Sequence, residues 1–120
     1  MSGEMGYRDL LVWSKAMTLV EEVYKFSTQF PSSEQFGLTS QIRRAAVSVP
    51  SNIAEGYGRG GGDYRRHVNI ARGSLMEVET QMELSVRLNF CDRETVKSAW
   101  HLSQEVGKML TKLGHSLKKL

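Results

Sequence analysis

The feature that most constrains this chain is how regularly its apolar residues return. From Asp92 to the last residue, Val96, Ala99, Ser103, Val106, Leu110, Leu113, Leu117 and Leu120 recur at steps of three or four, the spacing that keeps side chains on one face of an α-helix. Tyr64, Val68, Ala71, Leu75, Val78, Met82 and Val86 repeat the pattern upstream, as do Ile42, Ala46, Val49 and Ile53. The first segment carries two stripes side by side. One is Leu10, Trp13, Met17, Val20 and Tyr24, and the other is Val12, Ala16, Leu19, Val23, Phe26 and Phe30. Its polar edge is narrow, so helix 1 is expected to be buried on more than one side.

Helix starts and stops punctuate these runs. Asp9, Thr39, Asp63 and Asp92 are each suited to cap a helix N-terminus. Pro31-Ser32-Ser33 ends the first segment, and the glycines Gly56, Gly58 and Gly60 to Gly62 end the second in what reads as a flexible loop. The sequence therefore predicts one all-α domain spanning residues 1–120, with helices over 9–30, 39–57, 63–89 and 92–118. Short connections between long amphipathic helices imply an antiparallel, up-down-up-down four-helix bundle. Pro50 interrupts the second helix. It removes one backbone hydrogen bond and crowds the Ala46 carbonyl, but the apolar stripe resumes in phase at Ile53, which predicts a kink and not a break.

A chain of 120 residues with 40% hydrophobic content can build one such core without disulfides. Cys91 is the single cysteine, and the Cys and His spacings of zinc sites are absent, so a reducing cytoplasm is the expected location. No stretch approaches the roughly 18 apolar residues of a membrane span, and Met1 to Gly6 lacks the basic and apolar regions of a signal peptide.

The formal charge of +3 hides a strong asymmetry. Residues 43–72 hold six arginines, Arg43, Arg44, Arg59, Arg65, Arg66 and Arg72, against only Glu55 and Asp63, while residues 108–120 hold four lysines and no acid. Arg59 precedes the glycines and Arg65, Arg66 and His67 follow Asp63, so a cationic cluster is expected at one end of the bundle. Arginine forks pair bidentately with phosphate, which makes these six arginines candidate nucleic-acid ligands, against the alternative of a merely solvated basic surface. The glycines are not a P-loop, because no strand precedes them and no Lys-Ser or Lys-Thr pair follows.

A second constellation lies on helix 2, where Arg44, Ser48, Asn52, Glu55 and Arg59 fall within about 80° of one another at roughly 100° per residue. It reads either as a solvated face with internal ion pairs or as a surface that meets a ligand or subunit. Asn52 stands out, because a mid-helix asparagine competes with backbone bonding and needs a partner. Asn69, Gly73 and Glu77 form a similar line on helix 3. Gly73 weakens a helix interior by about 1 kcal/mol relative to alanine, so close approach of another backbone is its expected reason, as for Gly107 and Gly114.

Catalysis finds no apparatus. The Glu-x-x-His motif of di-iron bundles is missing, since Glu94 is followed at three residues by Lys97 and Glu105 by Lys108. His67, His101 and His115 lack the His-x-x-x-His zinc spacing, and Cys91 has no identifiable base. The expectation is a non-enzyme with no metal and no cofactor.

The stretches Tyr7-Arg8-Asp9-Leu10-Leu11-Val12-Trp13, Gly37-Leu38-Thr39-Ser40-Gln41-Ile42-Arg43-Arg44-Ala45-Ala46-Val47-Ser48-Val49-Pro50-Ser51-Asn52-Ile53-Ala54-Glu55-Gly56-Tyr57-Gly58-Arg59 and Asn69-Ile70-Ala71-Arg72-Gly73-Ser74-Leu75 resemble the four-helix-bundle proteins encoded in 23S rRNA intervening sequences. The resemblance covers nearly the whole chain. It implies a bundle that assembles into a cyclic, barrel-like homopentamer, which would account for the two apolar sides of helix 1. It also implies that Ser48, Asn52, Glu55, Asn69 and Glu77 form a polar network or a subunit interface. Similar proteins include the accessory variability protein of diversity-generating retroelements, which associates with a reverse transcriptase and nucleic acid through basic surfaces. Where members of the family often carry lysines after the first loop glycine, this chain has Gly60-Gly61-Gly62-Asp63. Two functions follow: a basic oligomer that binds RNA or DNA, or a homo-oligomeric scaffold for a protein partner.

Overall fold

The computed structural model describes residues 6–118. Four helices, α1 (Leu11–Ser27), α2 (Leu38–Arg59), α3 (Gly61–Arg87) and α4 (Arg93–Leu117), account for most of them, with single 3-10 turns at Tyr7–Asp9 and Ser32–Glu34 and no strand among the described residues. Each helix packs on two others in the cycle α1–α2–α3–α4–α1, and the diagonal pairs do not meet. This is a four-helix bundle. Contacts between α2 and α3 pair rising with falling residue numbers, from Asn52 with His67 to Ser48 with Ser74. Those between α3 and α4 do the same, from Glu83 with Arg93 to Glu79 with Gln104.

The core follows the apolar stripes. Ile42, Ala46, Val49, Ile53, Val68, Ala71, Val78, Val106 and Leu110 are fully buried. Leu120 lies outside the described residues. On α1 only one stripe is interior: Val12, Ala16, Leu19, Val23, Phe26 and Phe30 are buried, whereas Met17 and Tyr24 are more than 40% exposed. Helix 1 is thus covered on one side only within a single chain. The second stripe looks inward at its edge, where Leu10, Trp13 and Val20 lean on the core.

Helix termini differ from the expected caps where a nearby group outcompetes the nominal one. The first helix starts after Leu10, because Asp9 closes a preceding turn by accepting the Gly6 N–H at 3.2 Å. Thr39 lies inside α2, whose first N–H, that of Leu38, is taken by Glu34 Oε1 at 3.0 Å. Asp92 does cap α4, accepting both the backbone N–H and the hydroxyl of Thr95 at 2.9 and 2.7 Å, and these bonds lower its carboxyl pKa. Asn89 terminates α3 and does not extend it. Its φ of 61° places it in the left-handed region, with Phe90 N–H on Ser85 O and Asn89 N–H on Val86 O, the bonding of a Schellman motif. Phe90 is thereby turned onto Phe30, 5.8 Å between ring centres.

The glycine-rich segment is not a loop. One residue, Gly60, separates α2 from α3, and its φ of 72° and ψ of 178° make it the cap of both helices. Gly61 and Gly62 fall within α3, Gly61 entering it with a left-handed φ of 58°. Asp63 is consequently not the cap but sits in the first turn of α3, where a negative charge favourably meets the helix dipole. Pro50 is buried within an unbroken α2.

Candidate functional site

The tight elbow at Gly60 presses the last turns of α2 against the first turns of α3, and the polar stripe of α2 meets α3 there. A Cβ on Gly56 would stand 2.8 Å from the His67 Cβ, 3.2 Å from Tyr64 Cδ1 and 3.3 Å from the Tyr64 carbonyl oxygen. No residue but glycine fits without moving a helix. Tyr57 and Tyr64 pack edge to face across the elbow, 5.9 Å between centres, and burial raises the Tyr64 phenol pKa, with Tyr57 adding to the rise.

Within this contact a chain of hydrogen bonds crosses from helix to helix. Asn52 donates through Nδ2 to Ser48 O at 2.8 Å and to Ser48 Oγ at 3.0 Å. Ser48 Oγ shares a 2.8 Å bond with Ser74 Oγ of α3. With its amide nitrogen so used, Asn52 presents Oδ1 to Nδ1 of His67 at 2.9 Å. An amide oxygen can only accept, so Nδ1 of His67 donates this bond. Nε2 faces Arg66 Nη2 at 3.3 Å and Glu55 Oε2 at 3.6 Å. His67 is only 5% exposed, so both ring nitrogens are consumed by neighbours in a setting where an unpaired one would be costly.

The arginines expected to gather at this end are largely spent on acids. Arg59 binds Glu55 Oε2 through Nε at 3.2 Å and reaches Asp63 Oδ2 at 3.8 Å, and Arg66 lies 3.7 Å from Asp63 Oδ1. Arg43 is engaged elsewhere. It donates to Ser27 Oγ at 2.8 Å and Tyr24 O at 3.3 Å, and lies over the Tyr24 ring at 4.6 Å, tying α2 to α1. Of the six arginines, Arg44, Arg65 and Arg72 have no hydrogen-bonding or acidic partner among the described residues.

Ser48, Asn52 and Glu55 thus join one network. Asn69 and Glu77 stay exposed outside it. The α3 residues that the structure brings in are His67 and Ser74, which lie on the inward side of α3. A buried histidine opposite an asparagine cannot be read from sequence until the register of α2 on α3 is known. Gly73 also departs from expectation: nothing lies within 4 Å of where its Cβ would be. Gly107 does approach a neighbour, with Leu75 Cδ2 at 3.3 Å, and Gly114 less closely, with Val68 Cγ1 at 3.9 Å.

Unpaired positive charge collects instead between α3 and α4. A groove of about 440 Å³ is lined by Arg72, Lys108, Thr111 and Lys112, with Glu79 as its one acid. Glu79 accepts from Gln104 Nε2 at 3.0 Å. Among the described residues no group of three or more His, Cys, Asp or Glu side chains is placed to hold a metal ion, and no described helix is long and apolar enough to cross a membrane.

Comparison with known proteins agrees with this architecture. No functionally curated protein matches the chain. Its fold is similar to the crystal structure of a protein of unknown function from the S23 ribosomal protein family of Bacteroides thetaiotaomicron, with a TM-score of 0.77, 27% identity, and coverage of 87% of this chain and 98% of that one. The sequence profile described as 23S rRNA-intervening sequence protein matches residues 8–112, from the turn before α1 to the penultimate turns of α4. With the profile spanning all four helices, this chain belongs to the 23S rRNA-intervening sequence protein family.

Proposed function

We propose that this protein is a non-enzymatic, self-assembling helical bundle that binds RNA or DNA through its basic surface. The observation that carries the reading is the set of cations left without acidic partners among the described residues, Arg44, Arg65 and Arg72 together with Lys108 and Lys112. Such charges face water at little energetic benefit to the fold, and a polyanion would release counterions on meeting them. Self-assembly, as a homopentamer in the reading drawn from the family, is supported by the uncovered side of α1. Leu11, Met17, Tyr24 and Val47 are each at least 40% exposed, and around them Trp13, Val20 and Pro50 line a shallow apolar depression. A ring would bury that side and leave the α3–α4 side outward.

The test is affinity for RNA and DNA as a function of salt, with the assembly mass measured by light scattering. Binding should weaken by orders of magnitude between about 50 and 200 mM salt if six or more phosphates are contacted. Replacing Arg44, Arg65 and Arg72 by glutamine should weaken it across all sequences, whereas Arg43 is expected to matter for folding. Salt-independent affinity, or none, would refute the reading. A second reading, a scaffold for a protein partner, is favoured by Phe36, which is 91% exposed between the helices α1 and α2. Recovery of a protein and no RNA with the tagged chain from its native cell would select it.

A further inference from the structure

The α3–α4 groove does not end at its cations. Met76 and Glu79 line both the basic groove and a second depression of about 520 Å³ that runs on to Leu84, Arg87 and Trp100. Trp100, Gln104, Lys108 and Lys112 recur every fourth residue of α4, each turned about 40° from the last at roughly 100° per residue, so they wind along one side of the helix. From Trp100 to Lys112 that side extends roughly 18 Å at 1.5 Å per residue. An indole 40% exposed thus stands at one end of a trough made of two adjoining depressions, crossed between them by the Glu79–Gln104 hydrogen bond, and Arg72, Lys108 and Lys112 stand at the other. Gly107 keeps the floor between them low, since it carries no side chain and its backbone lies against Leu75. Three cations outnumber the one acid of the basic groove, Glu79, which accepts from the neutral Gln104 and keeps its charge. Glu83 is neutralised by Arg87 at 3.0 Å and by both ends of the Arg93 fork at 3.0 and 3.1 Å.

We propose that this trough binds a single strand of nucleic acid, with phosphates on Arg72, Lys108 and Lys112 and a base stacked on Trp100. A flat aromatic ring beside a cationic track suits unpaired bases, which offer a free face to the ring, and not a duplex, whose bases are stacked on one another. This rests on the nucleic-acid reading above and adds to it the strand form and the residues that bind.

The experiment uses the full chain with fluorescently labelled single-stranded RNA and DNA oligonucleotides and the duplex of the same sequence, read by anisotropy over a salt series. Trp100→Ala is expected to lose at least about fivefold in affinity for the single strand, and Trp100→Phe to retain most of it. Arg72→Gln/Lys108→Gln/Lys112→Gln is expected to lower the slope of log affinity against log salt by about two, the share of three phosphates on a single strand. All of these side chains reach solvent, and circular dichroism and assembly mass verify that the variants remain folded. If the wild-type chain binds with a salt-dependent affinity that neither variant changes, or binds duplex more tightly than single strand, the trough is not the site and the broader reading stands alone. If the wild-type chain binds neither, both fall together.

Discussion

Gly56→Ala measures how tightly α2 and α3 are pressed together. In an unobstructed helix interior, replacing glycine by alanine stabilises by about 1 kcal/mol. At position 56 the added methyl would meet the His67 Cβ at 2.8 Å and the Tyr64 carbonyl oxygen at 3.3 Å. Both are anchored to the backbone of α3 and cannot swing aside. Relief requires separating the helices by several tenths of an ångström, which stretches the 2.9 Å bond between Asn52 and His67. Overpacking of this kind costs about 1–3 kcal/mol, and a contact with so little flexibility belongs near the upper end. Subtracting the propensity gain leaves a net loss of about 2 kcal/mol. For a domain of this length each kcal/mol shifts the melting temperature by about 4 °C, so Gly56→Ala should melt roughly 8 °C below wild type. Gly73→Ala is the internal control. Nothing lies within 4 Å of its Cβ position, so the full propensity gain should appear, as a rise of roughly 4 °C. Thermal melts by circular dichroism at one protein concentration separate the two. A Gly56→Ala protein that melts at or above wild type would refute the close helix contact.

Three further outcomes follow from the same geometry. Asn52→Leu leaves the buried Nδ1–H of His67 without its acceptor, and should destabilise by about 1–3 kcal/mol in urea titration; an unchanged midpoint would show that the network contributes nothing. Gln81 Oε1 is buried without a hydrogen-bond partner among the described residues, so Gln81→Leu, which removes the orphan acceptor, should raise stability by about 1 kcal/mol, and a loss would mean the amide is bonded. Glu83 is held down to about 2 from an ordinary 4.5 by the hydrogen bonds of Arg93 and Arg87. A carboxylate with a depressed folded pKa stabilises above its unfolded pKa and loses that contribution as pH falls through the folded one. The stability gap between wild type and Glu83→Gln should therefore be full at pH 7, shrink from about pH 4.5 downward and close near pH 2. A gap of constant size across that range would exclude the ion pair as its source.

Much of the bundle was legible because a helix writes its buried face into the sequence at a fixed interval. Ile42, Ala46, Val49 and Ile53 are interior for the same reason that they are spaced by three and four. Asp92 could be recognised as a cap because its partner, Thr95, lies three residues away. A role is hidden from the sequence where its partner is remote or where two groups compete for it. Gly60 to Gly62 look like a loop by propensity, yet α3 begins at Gly61, because the left-handed φ values of Gly60 and Gly61 turn the chain from one helix into the next within two residues. Thr39 looks like a cap, but Glu34 reaches the same N–H from the preceding turn.

The sequence by itself determined four helices, their inward faces and the excess of basic residues, because periodicity, caps and charge are local properties of the chain. The tertiary structure alone decided what those residues do. It set Asn52 against His67, tied Arg43 to α1, and left Arg72, Lys108 and Lys112 together in one groove beside the depression that Trp100 lines. Those outcomes depend on the register of one helix on another, a relation between residues 15 to 40 positions apart that no local pattern encodes.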